Sequence, residues 1–248
     1  GGRAPGVLDL VSRVKSQLHV RRGGARHLAE GRARDGGDVV EVLAVYRRDI
    51  LRLLRLDGAA RRYVLALAVG TLPAVVVGLL LKDVVEAAFA APVYAALGLL
   101  VTGAVLLSTR AARPAAQAPG EWEPRPVPLG KALLVGCAQA LAICPGISRS
   151  GSTIAASLWL GLARAEAARF SFLLSVPAIG GALVLMLLGG ERAGDNGPVV
   201  LVLAAAAAFA VGLLAIRWTA LAVIQKHFWK FAFYVIPAGL VALVVILR

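Results

Sequence analysis

The sequence predicts an all-α, polytopic membrane fold containing a re-entrant helical hairpin and inverted repeats. Three observations predict it: a surplus of apolar residues, a series of uncharged runs of membrane length, and one apolar segment interrupted by a polar string. Of the 248 residues, 59% are hydrophobic and only 17% charged, and the mean hydropathy is +0.78. A soluble domain of this size carries roughly 25% charged residues. The surplus apolar surface therefore needs lipid as its solvent.

Residues 63–81 form an uncharged run of 19, enough to cross roughly 30 Å of hydrocarbon at about 1.5 Å per residue. A second run, 91–108, follows a short turn containing Lys82, Asp83 and Glu86. The stretch 109–131 is rich in Pro and charge and reads as a loop outside the membrane. Further spans are expected near 170–190, 198–216 and 231–247. Pro73, Pro177 and Pro237 fall inside spans, where neighbouring helices can satisfy the freed carbonyls.

Residues 132–163 differ. An apolar piece of about 12 residues runs into Cys144-Pro145-Gly146-Ile147-Ser148-Arg149-Ser150-Gly151-Ser152-Thr153, and a second short apolar piece follows. Each half is too short to span alone. A re-entrant hairpin whose irregular tip is buried in protein or lines a cavity is the natural reading, with the second helix starting at about Thr153. Charge supports it. The segment 47–62 carries six arginines, 109–131 carries four basic residues, and 217–230 carries Arg217, Lys226 and Lys230. If 132–163 enters and returns on one side, all these loops share a face, and that face is cytoplasmic.

The net charge of +13 does not mark a nucleic-acid binder. Beyond residue 62 the basic residues sit at the ends of apolar runs, and no aromatics interleave with those of 1–40. Cys137 and Cys144 have neither a disulfide framework nor metal-ligand spacing. A faint internal repeat pairs Thr71-Leu72-Pro73-Ala74 with Ser175-Val176-Pro177-Ala178, 104 residues apart. Inverted repeats of this kind place binding sites at interrupted segments, and the first-half counterpart of the hairpin should lie before residue 45.

Arg149 sits in a segment that otherwise belongs to the membrane, where a cation is costly and normally has a function. Ser148, Ser150, Thr153, Gly146 and Gly151 surround it. Hydroxyls, close backbone amides, a guanidinium and a helix N-terminus together suit phosphate oxygens. The alternative is a polar helix break with Arg149 paired to a carboxylate or to carbonyls. A cysteine-phosphatase loop is excluded, because four residues rather than five separate Cys144 from Arg149. A phosphohistidine mechanism is excluded too, since none of His19, His27 and His227 lies shortly downstream.

The run 145–182, PGISRSGSTIAASLWLGLARAEAARFSFLLSVPAIGGA, resembles the signature region of the undecaprenyl-diphosphate phosphatases of the bacitracin-resistance type. Gln139, the VYRRDILRLL string (45–54) and the FAFY string (231–234) resemble that family as well. The resemblance covers about 42–248 and implies a bacterial inner-membrane enzyme that recycles the lipid carrier of cell-wall synthesis. It implies that Arg149 clamps the diphosphate with Ser148 at the catalytic centre. Gly146, Ser150, Gly151, Thr153 and Gln139 would bind phosphate, and a divalent cation, Mg²⁺ or Ca²⁺, would assist. The sequence departs from the family where two glutamates four apart and a Ser-Ser-Thr-Gly-His-like string are expected. Residues 1–41 are Arg/Gly-rich instead, without a membrane-length run, and are not assignable to the domain. No metal ligands can be named, and His27 and Glu30 do not match the missing spacing. Glu166, just before a span, reads as a helix-end residue. Residue 1 is Gly and the single methionine is Met186, so the natural start is expected upstream, with 1–41 an out-of-frame stretch rather than a cytoplasmic tail. Two rival functions are a polyprenyl-phosphate flippase and an inactive remnant that binds phosphate without hydrolysing it. Oligomeric state is not legible.

Overall fold

The computed structural model describes residues 45–55, 57–116, 123–188 and 198–248, with the side chains of 182–188, 198–205 and 208 left out. The segment 1–41, with His19, His27 and Glu30, and the loop holding Glu191 lie outside the described residues. The described chain is all-α: nine α-helices and one 3-10 turn.

Helix α1 is Arg47–Leu53 and α2 is Gly58–Leu80. The start of α2 lies five residues ahead of the predicted one because Asp57 caps it, accepting from the amides of Ala59 and Ala60 at 3.1 and 2.7 Å. The predicted turn after it is instead a nine-residue helix, α3 (Lys82–Ala90), bent by 97° from α4 (Pro92–Ser108). Pro92 causes the break. It forces the preceding Ala91 into an extended conformation and then serves as the first helical residue of α4.

The hairpin consists of α5 (Leu129–Leu141) and α6 (Arg149–Trp159), which pack on each other. At about 1.5 Å per residue their 13 and 11 residues reach roughly 20 and 17 Å, short of a bilayer. After it come α7 (Arg164–Leu188) and α8 (Pro198–Ile224), then the 3-10 turn Phe228–Phe231 and α9 (Ala232–Ile246). Helix α8 runs past Arg217, where the sequence suggested an end. An arginine can continue an apolar helix at its rim by extending its head toward water, and Arg217 is exposed.

Among the described residues, Gly58–Leu80 and Phe228–Ile246 are each long and apolar enough to cross a membrane, and the bent α3–α4 pair qualifies jointly. The 25 residues of α7 and 27 of α8 give about 38 and 40 Å of helix, sufficient in length. Leu72, Leu79, Phe233, Val241 and Val245 face outward, as lipid contact requires. This is a multi-pass membrane protein.

Contacts far apart in sequence gather the basic segments at one end. Arg169 near the start of α7 binds Asp49 of α1. The amide of Ala115, after α4, donates to the carbonyl of Gly161 at the hairpin's close. Arg110, Arg164 and Lys226 line one pocket. Within the bundle, α2 packs on α5 and α4 on α9. A Cβ on Gly136 would lie 2.1 Å from the carbonyl oxygen of Gly70, so glycine is what lets these two backbones touch.

The repeat offset of 104 carries α1 into α6, α2 onto α7, α4 into α8 and α5 into α9. Thr71 and Ser175, the paired positions, both bond back within their own helix, to Leu67 at 2.8 Å and Phe172 at 2.6 Å. The sequence reading put the first-half counterpart of the hairpin before residue 45. By this register α1 corresponds to the returning leg, and the positions that correspond to α5, 25–37, lie outside the described residues.

Candidate active site

The hairpin tip is built by a backbone seat on α4. Gly146 adopts φ +80°, a conformation glycine reaches without steric cost. A Cβ there would stand 2.0 Å from the carbonyl oxygen of Ala95, and one on Gly98 would stand 2.1 Å from that of Pro145. Only two glycines allow the tip this close to α4. Thr102 then stitches the tip in place: its hydroxyl donates to the Gly146 carbonyl and accepts from the Ser148 amide, both at 2.9 Å. Gly98 lies ten residues from the basic end of α4 at Ser108, so the tip is roughly 15 Å inside that end.

The second hairpin helix starts at Arg149, four residues ahead of the predicted start, because Ser148 is its N-cap. Ser148 Oγ accepts from the Gly151 amide at 3.1 Å. A Cβ on Gly151 would press on Ser148 Cβ and Oγ at 3.0 Å, so the small residue keeps the cap in place. Arg149 and Ser150 thus belong to the first turn of a helix rather than to a loop. The positive end of the α6 dipole is at Arg149, the first residue of the helix. Nη1 of Arg149 is buried.

The remaining candidates are placed as follows. Thr153 is buried; it donates to the Arg149 carbonyl at 2.9 Å and contacts Ser171 Oγ of α7. Its hydroxyl thus ties the arginine's backbone to α7. Ser150 is half-buried; its carbonyl accepts from Thr153 Oγ1 at 3.4 Å, and its own hydroxyl has no partner among the described residues. Gln139 is 2% exposed on α5, and among the described residues neither its amide oxygen nor its nitrogen has a partner. A buried amide left unsatisfied costs about 1–3 kcal/mol. Ser157 Oγ on α6 is in the same condition.

Sequence reading missed Thr102, Gly98 and Ser171. A signal existed for the first two, since small and polar residues inside an apolar run mark its packing face. Nothing in the sequence joins them to residues some 45 positions away.

A second polar cluster lies toward the basic end. Arg169 Nε sits 2.8 Å from Asp49 Oδ2, and its Nη1 lies 3.7 Å from Glu166 Oε2. The buried Tyr63 hydroxyl lies close to the Glu166 carboxylate. Glu166 falls in the first turn of α7, the helix-end position expected of it. Burial holds the Tyr46 phenol well above its usual value, so it stays neutral and stacks on Phe172 at 6.0 Å between centroids.

A divalent cation, which the family resemblance implies, finds no ligand set among the described residues. They contain no group of three or more His, Cys, Asp or Glu able to hold one. Magnesium is normally held by one or two carboxylates together with phosphate oxygens, and Asp49 and Glu166 are already engaged with Arg169.

The family model described as bacitracin resistance protein BacA matches residues 33–241. An undecaprenyl-diphosphatase of Rhodopirellula baltica is 41% identical over 215 residues, covering 86% of this chain and 80% of the relative. One of Desulfatibacillum aliphaticivorans is 42% identical over 184 residues, covering 74% and 64%. One of Bacteroides fragilis is 34% identical over 263 aligned positions, covering 96% of each. With its hairpin tip, capped arginine helix and apolar bundle accounted for over most of its length, the chain belongs to the bacitracin resistance protein BacA family.

Proposed function

We infer that this protein is an integral-membrane phosphatase that hydrolyses undecaprenyl diphosphate to undecaprenyl phosphate and inorganic phosphate. The observation that carries this reading is the position of Arg149: first residue of a capped helix, inside an apolar bundle, at the tip of a hairpin. A diphosphate headgroup entering there meets the Arg149 guanidinium and the positive, N-terminal end of α6. Water oxygen adds to the terminal phosphorus, the bridging P–O bond breaks, and its electron pair leaves on the lipid monophosphate. A water proton departs with the products or to solvent. Arg149 and the α6 amides offset charge as it grows on the phosphate oxygens. Ser148, Gly146, Gly151 and Thr153 hold that helix end in shape, while Ser150 and Gln139 have hydrogen-bonding capacity left for the substrate. The membrane is the bacterial inner membrane with the basic end cytoplasmic, and the product re-enters cell-wall synthesis as lipid carrier.

The test is phosphate release from undecaprenyl diphosphate by the purified chain, with and without Mg²⁺ or Ca²⁺, beside Arg149→Lys. Lysine is a point charge and cannot reproduce the bidentate fork. Losing that contact should lower kcat/KM by about 1.5–3 kcal/mol, tenfold or more. Wild-type turnover in R149K would remove the clamp role. Lipid movement in liposomes without phosphate release would assign the chain to transport instead.

A further inference from the structure

At the basic end, away from the hairpin tip, a cavity of about 200 Å³ is lined by Thr109, Arg110, Arg164, Lys226, Phe228 and Trp229. These residues come from three places: the end of α4, the start of α7, and the turn joining α8 to the 3-10 segment. The lining holds three cations and no carboxylate. None of the three forms an ion pair among the described residues. Arg110 and Lys226 follow helix C-termini, where carbonyls favour a cation, but Arg164 opens α7, where the helix dipole opposes one. Three like charges sharing one small cavity repel each other until an anion joins them.

Two details orient the cavity toward a phosphate. The Arg110 guanidinium lies 5.2 Å from the centroid of the Trp229 ring, which holds the planar fork in one direction. Lys226 occupies the left-handed position, φ 63°, that ends α8. The amide of His227 donates to the Ala222 carbonyl at 2.7 Å and that of Lys226 to Val223 at 3.2 Å. Glycine is the usual occupant of such a position, so a lysine stands there against local preference, beside the cavity. Phe233 and Tyr234, just beyond, are largely exposed on the apolar surface. The cavity therefore lies where hydrocarbon gives way to headgroups, and aromatic residues concentrate at that level.

We propose that this cavity binds the phosphate of an anionic phospholipid headgroup, a site separate from that of Arg149. Basic pockets between membrane helices recognise lipid phosphates in this way. The occupant shares its chemistry with free phosphate, and the two sources can be told apart.

The full chain in detergent is titrated separately with short-chain phosphatidylglycerol, short-chain phosphatidylcholine and inorganic phosphate, reading tryptophan fluorescence. Phosphatidylglycerol should bind at least about tenfold more tightly than either alternative, a difference of roughly 1.4 kcal/mol. The pair R110Q/K226G should lose that preference, whereas R61Q/R62Q, which removes the same charge from exposed positions at the same end, should keep it. K226G alone removes a cation while relieving the left-handed backbone, so its weaker binding cannot be ascribed to misfolding; its melting temperature should not fall. Equal affinity for the two lipids, or unchanged preference in both K226G and the pair, would overturn the proposal. Inorganic phosphate binding as tightly as phosphatidylglycerol would overturn the lipid source and assign the cavity to free phosphate.

Discussion

Two arginines stand in polar stretches of this apolar chain, and the residue types around them in the sequence differ. Arg169 lies between acceptors: Asp49 at 2.8 Å and Glu166 at 3.7 Å. Arg149 opens a helix in a segment, 145–153, that contains no carboxylate and is rich in hydroxyls and close backbone amides. Acceptors neutralise a cation and make it structural, here clamping α1 to α7. A guanidinium among hydroxyls at a helix N-terminus has the residue types that suit an oxyanion. Charge inside a membrane protein is thus not by itself a mark of function, since Arg169 is accounted for by its two carboxylates.

Substitutions at five positions bear on that contrast. The largest effect is expected from Arg169→Met, which strands two largely buried carboxylates. Breaking a buried pair from one side costs about 3–5 kcal/mol, measurable as a lowered unfolding midpoint in detergent. R149K should leave that midpoint nearly unchanged and act on turnover instead. A stable R169M protein would mean that the cluster is not the clamp.

Thr102→Val comes next. It preserves shape but deprives the Gly146 carbonyl and the Ser148 amide of their partner. Each unsatisfied buried group costs about 1–3 kcal/mol, so the tip should loosen and kcat/KM should fall at least tenfold. Activity within twofold of wild type would show that the seat does not depend on Thr102. Ser148→Ala removes the N-cap bond to Gly151 and should cost about 1 kcal/mol of stability, with Ser148→Asp recovering most of it.

The smallest change in stability, and of opposite sign, is expected from Gln139→Met. The wild-type amide is buried without a partner, so replacing it with an apolar side chain of similar length should leave the protein equally stable or slightly more so. If Gln139 meets the substrate, KM for undecaprenyl diphosphate should rise while the melting temperature does not fall. A clear loss of stability with unchanged KM would make Gln139 a packing residue.

Much of this architecture was legible beforehand. The apolar runs set the number and approximate place of the long helices, and the one-sided arginines required the hairpin, which the Ala115–Gly161 bond and the shared basic pocket bear out. Boundaries moved wherever a single side chain ended or began a helix: Asp57 at α2, Ser148 at α6, Pro92 at α4. The α3 helix was read as a turn because nine mixed residues are too few for periodicity to separate from loop. Its direction depends on the backbone forced at Ala91.

By itself the sequence determined that the chain needs a bilayer, that 132–163 cannot cross it in two full helices, and that PGISRSGST interrupts that segment with residue types that suit phosphate oxygens. These follow from composition, length and local spacing, all properties of contiguous residues. Tertiary structure alone decided that Gly98 and Thr102 seat the tip and that Asp49 reaches across to Arg169. It alone brought Arg110, Arg164 and Lys226 around one cavity. Each of these joins residues dozens of positions apart. Their meeting depends on how helices settle against one another to fractions of an ångström, as the glycine contacts at Gly70, Gly98 and Gly136 demonstrate. Close packing of that kind is set by the fit of whole surfaces rather than by any single stretch of chain.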